Sequence, residues 1–244
     1  MIRVSRVVLS DCTKLTQFTG DAYLQSMMGH GLRANSQSEL VDKLITRGFL
    51  HGVSACVEKA FRRTDSASFL PKSASDVYSN NPQKIFGSNH YMSTPQLHAQ
   101  VLSLLGDRIG PGKVACEIGA GSGYLPTVFA RAGCRQVYAI EKDSDLLSMC
   151  EEKLSFLSQV VVASELRQTA PIDALYIAPY MNGFDQLNEL LERIDFSNDA
   201  LVLVPVKDGE MGVIQDQQMM LLERKANIWT KTSLFRTLCE AALV

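Results

Sequence analysis

Glu117-Ile-Gly-Ala-Gly-Ser-Gly123 joins a strand to a helix through three glycines at alternate positions. It closes an apolar run over residues 114–118 that reads as a buried strand, and it leads into residues 124–132, which read as a helix. Glycines at alternate positions let the backbone turn sharply and approach a ligand without a Cβ in the way, next to the positive end of the following helix. The spacing is G-x-G-x-G, and Tyr124 stands where a dinucleotide G-x-G-x-x-G pattern would be completed. A cofactor loop is expected, and the NAD reading loses ground. A second strand ends in Ala139-Ile140-Glu141. A carboxylate at such a strand tip, about twenty residues beyond the first glycine, can accept hydrogen bonds from both ribose hydroxyls of a nucleoside.

Downstream, strands and helices continue to alternate. Residues 136–140, 160–163, 174–178 and 200–206 read as strands, and 144–157 and 184–194 as helices. Repeated strand-helix-strand units imply a parallel sheet covered on both faces. Residues 211–238 are rich in Val, Ile, Trp and Thr with no crossover-length helix, which predicts strands of mixed direction.

Upstream, Ser36-Gln-Ser-Glu39 is an S-x-x-E capping box, followed by Leu40, Val41, Leu44 and Ile45 on one helical face and a stop at Gly48. A short second helix carries Val53, Val57, Ala60 and Phe61. Residues 62–94 are irregular and long for a structureless connection, and such segments are usually functional. Thr94-Pro95 then supplies a helix cap and a first-turn proline, with Leu97, Val101, Leu104 and Leu105 facing a core as far as Gly106.

Composition bounds the rest. A chain of 244 residues with 46% hydrophobic content suffices for one sizeable core plus an appendage. The 24 basic and 26 acidic residues nearly cancel, so no global field draws the protein onto nucleic acid or an anionic membrane. The six cysteines form no CxxC pair and no His lies at metal-ligand spacing, which predicts neither a zinc site nor a disulfide framework. No apolar run approaches the roughly 18 residues of a bilayer span. Ser122 lacks the flanking glycines of G-x-S-x-G, and Asp107 stands where a P-loop ending at Gly112-Lys113 needs its first glycine. Neither a hydrolase elbow nor a nucleotide triphosphatase is expected. Residues 1–36 read as an extension whose Arg3, Arg6, Lys14 and hydroxyl residues suit a mitochondrial transit segment, offset by Asp11 and Asp21. Mitochondrial and cytoplasmic placements both stay open, and the domain proper is expected over 37–244.

The run EIGAGSGYL over residues 117–125 is similar to the cofactor motif of the protein-L-isoaspartate O-methyltransferases. Upstream, Tyr78-Ser-Asn-Asn-Pro82 resembles that family's Y-S-D-N-P turn, and Met92-Ser-Thr-Pro-Gln-Leu-His98 its I-S-x-P-x-M-H segment. The resemblance covers roughly residues 38–206 and identifies the chain as a divergent member. It implies a doubly wound, mostly parallel, Rossmann-like class I methyltransferase fold with an N-terminal helical segment and mixed C-terminal strands. It also implies S-adenosylmethionine as cofactor, isoaspartyl-containing proteins or peptides as partners, and a role in protein repair. Ser93 maps to the serine beside the transferred methyl and the substrate carboxylate, and His98 to a cofactor-contacting histidine. Gly119, Gly121, Gly123 and Glu141 map to the cofactor loop and ribose site, with Glu117 facing the methionine portion or the loop amides.

Departures from the family pattern fall at the substrate approach, at the adenine edge and before the last parallel strand. The G-x-Q-[AT]-x-[IL]-S approach reads Gly87-Ser-Asn-His-Tyr-Met-Ser93, and the bulky Tyr91 is expected to narrow the substrate channel. Ala163-Ser164-Glu165 replaces the G-D-G turn at the adenine edge, leaving Ser164 as the cofactor contact there, and residues 194–199 replace an L-x-P-G-G turn. A catalytically impaired subunit of a mitochondrial protein or ribonucleoprotein assembly is therefore the alternative reading. Outside an assembly a nucleic acid partner is not expected, because Ala178-Pro-Tyr180 lacks the polar residue and second proline of an amide-methylating N-P-P-Y motif.

Overall fold

The computed structural model describes residues 31–85, 90–207, 217–226 and 228–237. Residues 1–30 of the extension, the segment 86–89 of the Ser93 approach, residues 211–216 at the start of the stretch read as mixed strands, Cys12 and Cys239 lie outside the described residues.

Chain order begins with helices α1 (Gln37–Thr46) and α2 (Ala55–Arg63), then a two-stranded hairpin of β1 (Gln83–Lys84) and β2 (Tyr91–Met92). Next come α3 (Pro95–Leu105), β3 (Val114–Ile118), α4 (Tyr124–Arg131), β4 (Gln136–Ile140), α5 (Ser144–Leu154) and β5 (Val160–Ala163). The chain continues through β6 (Ile172–Ile177), α6 (Gly183–Glu192), β7 (Phe196–Lys207), β8 (Gln217–Lys225) and β9 (Ile228–Thr237).

The seven strands after the hairpin form one sheet in the order β5-β4-β3-β6-β7-β8-β9. Neighbours from β5 to β7 pair in parallel, while β7-β8 and β8-β9 are antiparallel. This is the doubly wound, mostly parallel α/β architecture with mixed C-terminal strands. Alternate residues of each central strand feed two cores. Ala115, Val137, Ala174 and Leu203 pack toward α1 to α4, while Val114, Cys116, Tyr138, Leu175, Val202 and Val204 face the opposite layer with Leu187 of α6. Both faces being covered, near-continuous apolar runs mark these strands in the sequence.

The N-terminal layer is held by ordinary helix chemistry. Ser36 Oγ accepts from the Glu39 amide at 3.2 Å, as a capping box requires. The reciprocal arm differs: Glu39 accepts from the Asn35 backbone and side-chain amides at 2.9 and 3.0 Å and pairs with Lys43 at 2.7 Å. Leu40, Val41 and Leu44 are buried, whereas Ile45 is 37% exposed and lies off the predicted face. Packing extends back before residue 37. Leu32 is buried, the Ala34 amide donates to the Tyr78 carbonyl at 3.1 Å, and Arg33 bridges Ser79.

Strand β7 starts four residues earlier than its apolar run indicates. Phe196 pairs with Ile172 across a register shift and packs edge-on against Trp229 at 5.1 Å, so one anchored aromatic carries the polar Ser197-Asn-Asp199 into the strand. Among the described residues no helix is long and apolar enough to cross a membrane.

Candidate active site

Strand order reverses beside β3, since β3 lies between β4 and β6 while the chain reaches β6 only after β5. In open α/β sheets the crevice outside the carboxyl ends of the strands at such a point is where ligands bind. The glycine loop lies there. The Gly119 and Ala120 amides both donate to the Ile140 carbonyl, at 2.8 and 3.0 Å, which ties the loop to the end of β4. The Ala178 amide donates to the Ile118 carbonyl at 2.9 Å, bringing Pro179 against Gly119. Gly119, Gly121 and Gly123 all have positive φ, at +79°, +52° and +81°.

Glu141 braces this loop. Its Oε2 accepts from the Gly121 amide at 2.8 Å and its Oε1 from the Asp143 amide at 3.0 Å, with the residue only 6% exposed. The amide-bonding role that the sequence left open for Glu117 thus belongs to Glu141. Each carboxylate oxygen has two lone pairs, so two acceptor positions stay open for ribose hydroxyls.

Glu117 is different. It sits on β3 one residue before the strand ends, 5% exposed, and its Oε2 is buried without a hydrogen-bond partner. Burial, and then the nearby Glu141, hold its carboxyl pKa well above the ordinary 4.5. A buried polar atom left unpaired costs about 1–3 kcal/mol, more when charged. A cationic partner would offset that cost.

The remaining predicted residues gather around the same edge. Ser93 is half-buried between β2 and the Thr94 cap of α3, where Thr94 Oγ1 accepts from the Leu97 amide at 3.2 Å. Its neighbour Met92 meets Ser122, whose Oγ lies 3.8 Å from the sulfur. Ile85, at the other arm of the hairpin, reaches over Gly121. Ser164 follows β5 and is exposed, adjoining the Ala163 carbonyl that accepts from the Glu141 amide at 3.0 Å. Tyr91 does not narrow a channel as expected, for its side chain turns outward and is 53% exposed. An open groove of about 390 Å³ leads away from Ile85 between Gln83, Lys84 and the 71–75 segment.

His98 lies beneath the loop. Only 6% exposed, its ring packs on Tyr124 with centroids 4.9 Å apart. Tyr124, read from sequence only as the residue that breaks a dinucleotide fingerprint, is buried at the start of α4, and its hydroxyl accepts from Gln37 Nε2 at 3.0 Å. Gln37 also donates to the Phe61 carbonyl at 3.1 Å, so a buried amide links the N-terminal helices to the loop's helix. Nothing in the local pattern marks Gln37, which looks like a cap-adjacent polar residue. Asp143 was also missed, although its place just before a helical stretch is a cap signal. It accepts from the Asp145 and Leu146 amides, both at 3.0 Å.

Burial pushes His98 down from 6.5 to about 3. Between those values the unfolded chain takes up a proton that the folded one excludes, so this residue's contribution is full above pH 6.5 and is lost as pH falls toward 3. Acid unfolding followed by denaturant titration is expected to show stability falling about 1.4 kcal/mol per pH unit more steeply in the wild type than in His98→Phe. Equal slopes would mean that His98 is protonated in the folded state.

Comparison with known proteins agrees with this architecture. A family model for protein-L-isoaspartate(D-aspartate) O-methyltransferase matches residues 35–232. Protein-L-isoaspartate O-methyltransferase 2 of Arabidopsis thaliana is 31% identical over 84% of this chain and 69% of its own length. The protein-L-isoaspartate O-methyltransferase of Methylorubrum extorquens is 31% identical over 60% of this chain. The aligned segments span 64% of that relative and 57% of one from Dictyostelium discoideum, short of two thirds of either. Among solved structures, a Plasmodium falciparum protein-L-isoaspartate O-methyltransferase in complex with S-adenosyl-L-homocysteine superposes with a TM-score of 0.67 at 18% identity, covering 85% of this chain and 98% of that one. That likeness shows the fold.

Proposed function

Because the chain belongs to the protein-L-isoaspartate(D-aspartate) O-methyltransferase family, we propose that it methylates the free carboxylate of isoaspartyl residues in damaged proteins, using S-adenosylmethionine. The observation that carries the reading is the buried, unpartnered Glu117 oxygen beside a glycine loop braced by Glu141. The residues fit the cofactor. Glu117 would take the ammonium of its methionine portion, Glu141 the two ribose hydroxyls, and Gly119, Gly121 and Gly123 would let the backbone lie close beneath it. Ser164, exposed at the end of β5, would meet the adenine edge. His98, kept neutral by burial, would act through its packing on Tyr124.

When bound, the cofactor supplies an electrophilic methyl on a sulfonium. The chain's own residues have to align, not to deprotonate, because an isoaspartyl carboxylate is already ionised at neutral pH. The Ser93 hydroxyl would donate to that carboxylate and fix its approach, and Ile85 and Met92 would exclude water from the loop side. Holding two reactants in line supplies about 7–11 kcal/mol of a barrier in well-oriented systems, which suits a site without a strong base. The groove leading away from Ile85 would take the peptide on one side of the damaged residue.

The test is transfer of labelled methyl from S-adenosylmethionine to an isoaspartyl peptide, against the same peptide with normal aspartate. Label is expected in the isoaspartyl peptide alone, as a base-labile ester that releases methanol. Binding of cofactor with no ester formed would overturn the assignment of activity.

A further inference from the structure

The hairpin that delivers Ser93 touches the cofactor loop at neutral contacts, Ile85 over Gly121 and Met92 on Ser122. Among the described residues it also makes a contact that depends on charge. His90 immediately precedes β2 within the hairpin, its carbonyl accepting from the Ile85 amide at 3.0 Å, and its Nε2 lies 3.6 Å from Asp143 Oδ2. Asp143 caps α5, and its own amide donates to Glu141 Oε1. One short path therefore connects the Ser93 side of the site to the carboxylate on the ribose side: hairpin, His90, Asp143, Glu141, Gly121.

We infer that His90 is a positioning residue for methyl transfer: paired with Asp143, its imidazolium holds the Ser93 hairpin against the strand end that presents Glu141. The inference rests on the cofactor site described above. Both side chains of the pair are 31% exposed, so the interaction is partly screened and its effect modest. Asp143 is ionised throughout the relevant range, its pKa held low first by the Leu146 amide, then by that of Asp145, with His90 contributing. Charged groups near the pair among the described residues include Glu141, both of whose oxygens are held by amides, the exposed Lys142, Asp145 in the first turn of α5, and Lys84, the strand partner of Tyr91. Histidine is the side chain whose charge ordinarily changes near neutrality, so the hairpin is held when His90 is protonated and released as pH rises. Glu117 acts in the opposite direction, because its ionisation, favoured by rising pH, strengthens the grip on an ammonium. The wild-type pH profile is the sum of the two, and the ratio of variant to wild type isolates His90.

Cofactor binding measured by calorimetry for wild type, His90→Gln and Asp143→Asn tests this, since asparagine keeps the helix cap and the fold. Near pH 6 each variant is expected to bind about three- to fivefold more weakly than wild type, and near pH 8.5 equally well. The double variant is expected to be no weaker than either single one. In the ligand-free protein, the His90 imidazole followed by NMR is expected to titrate at lower pH in Asp143→Asn. Ratios that stay flat with pH, in a wild type that binds, would overturn the role of His90 alone. A wild type that binds no cofactor at any pH would overturn the cofactor site and this inference together.

Discussion

Replacing Gly119 by alanine is expected to destabilise the protein by about 2–4 kcal/mol, lowering its Tm by roughly 5–15 °C. Two separable terms make up the loss. At φ +79° an L side chain is strained, which costs about 1–2 kcal/mol. An added Cβ would also stand 2.6 Å from Cδ of Pro179 and 3.3 Å from its Cγ, and a proline ring cannot rotate away. Gly112 isolates the first term, since it has the same φ of +79° with nothing within 4 Å of the added atom. Gly112→Ala should therefore cost about 1 kcal/mol, and Gly119→Ala clearly more. The double variant Gly119→Ala Pro179→Ala should recover part of the difference, as coupled neighbours do. Equal losses at positions 112 and 119 would show that Pro179 does not crowd the loop, and the switch-point geometry would need revision.

Glu117→Gln is expected to weaken cofactor binding by about ten- to a hundredfold while making the ligand-free protein more stable. Above the ordinary carboxyl value of 4.5 the unfolded chain has lost a proton that the folded chain still holds on Glu117. Wherever the folded state binds more protons, stability falls as pH rises, so the loss grows from about pH 4.5 until the buried group ionises. Glutamine has the same shape and no charge to desolvate, and it removes that loss. Thermal unfolding should show variant and wild type alike near pH 4 and the variant higher near pH 8, by about 2–4 °C for each kcal/mol regained. Stability given up for a charge aimed at a ligand is a common feature of functional sites. A variant that unfolds earlier than wild type at high pH, yet binds cofactor as tightly, would show that Glu117 is a structural acid.

Much of this was legible in the sequence, for a physical reason. Strands β3 and β4 fall where their apolar runs predict, because a parallel strand covered on both faces is largely apolar, whereas β5, at the sheet edge with Val161 42% exposed, was readable from its β-branched run. Thr94, Gly106 and the glycine loop were readable because caps and positive-φ turns restrict residue type locally. What escaped depends on distant partners. The start of β7 at Phe196 is set by Trp229, far along the chain. Gln37 looks like part of a cap, and only tertiary packing places its amide on Tyr124. The His90 and Asp143 pair joins a hairpin of two-residue strands to a helix cap, and strands so short leave no period to read. Tyr91 was expected to narrow a channel on size alone, whereas its place on the two-residue β2 turns it outward.

The buried Glu117 carboxyl is placed to meet a cationic nucleoside on the glycine loop. Calorimetric titration of the folded protein with S-adenosylmethionine, in two buffers of different ionisation enthalpy near pH 7, tests this directly. Saturable binding is expected, with up to about one proton released per site, a release that disappears in Glu117→Gln. A folded protein that gives no heat of binding up to about millimolar cofactor, an affinity of roughly −4 kcal/mol, would contradict that role for Glu117.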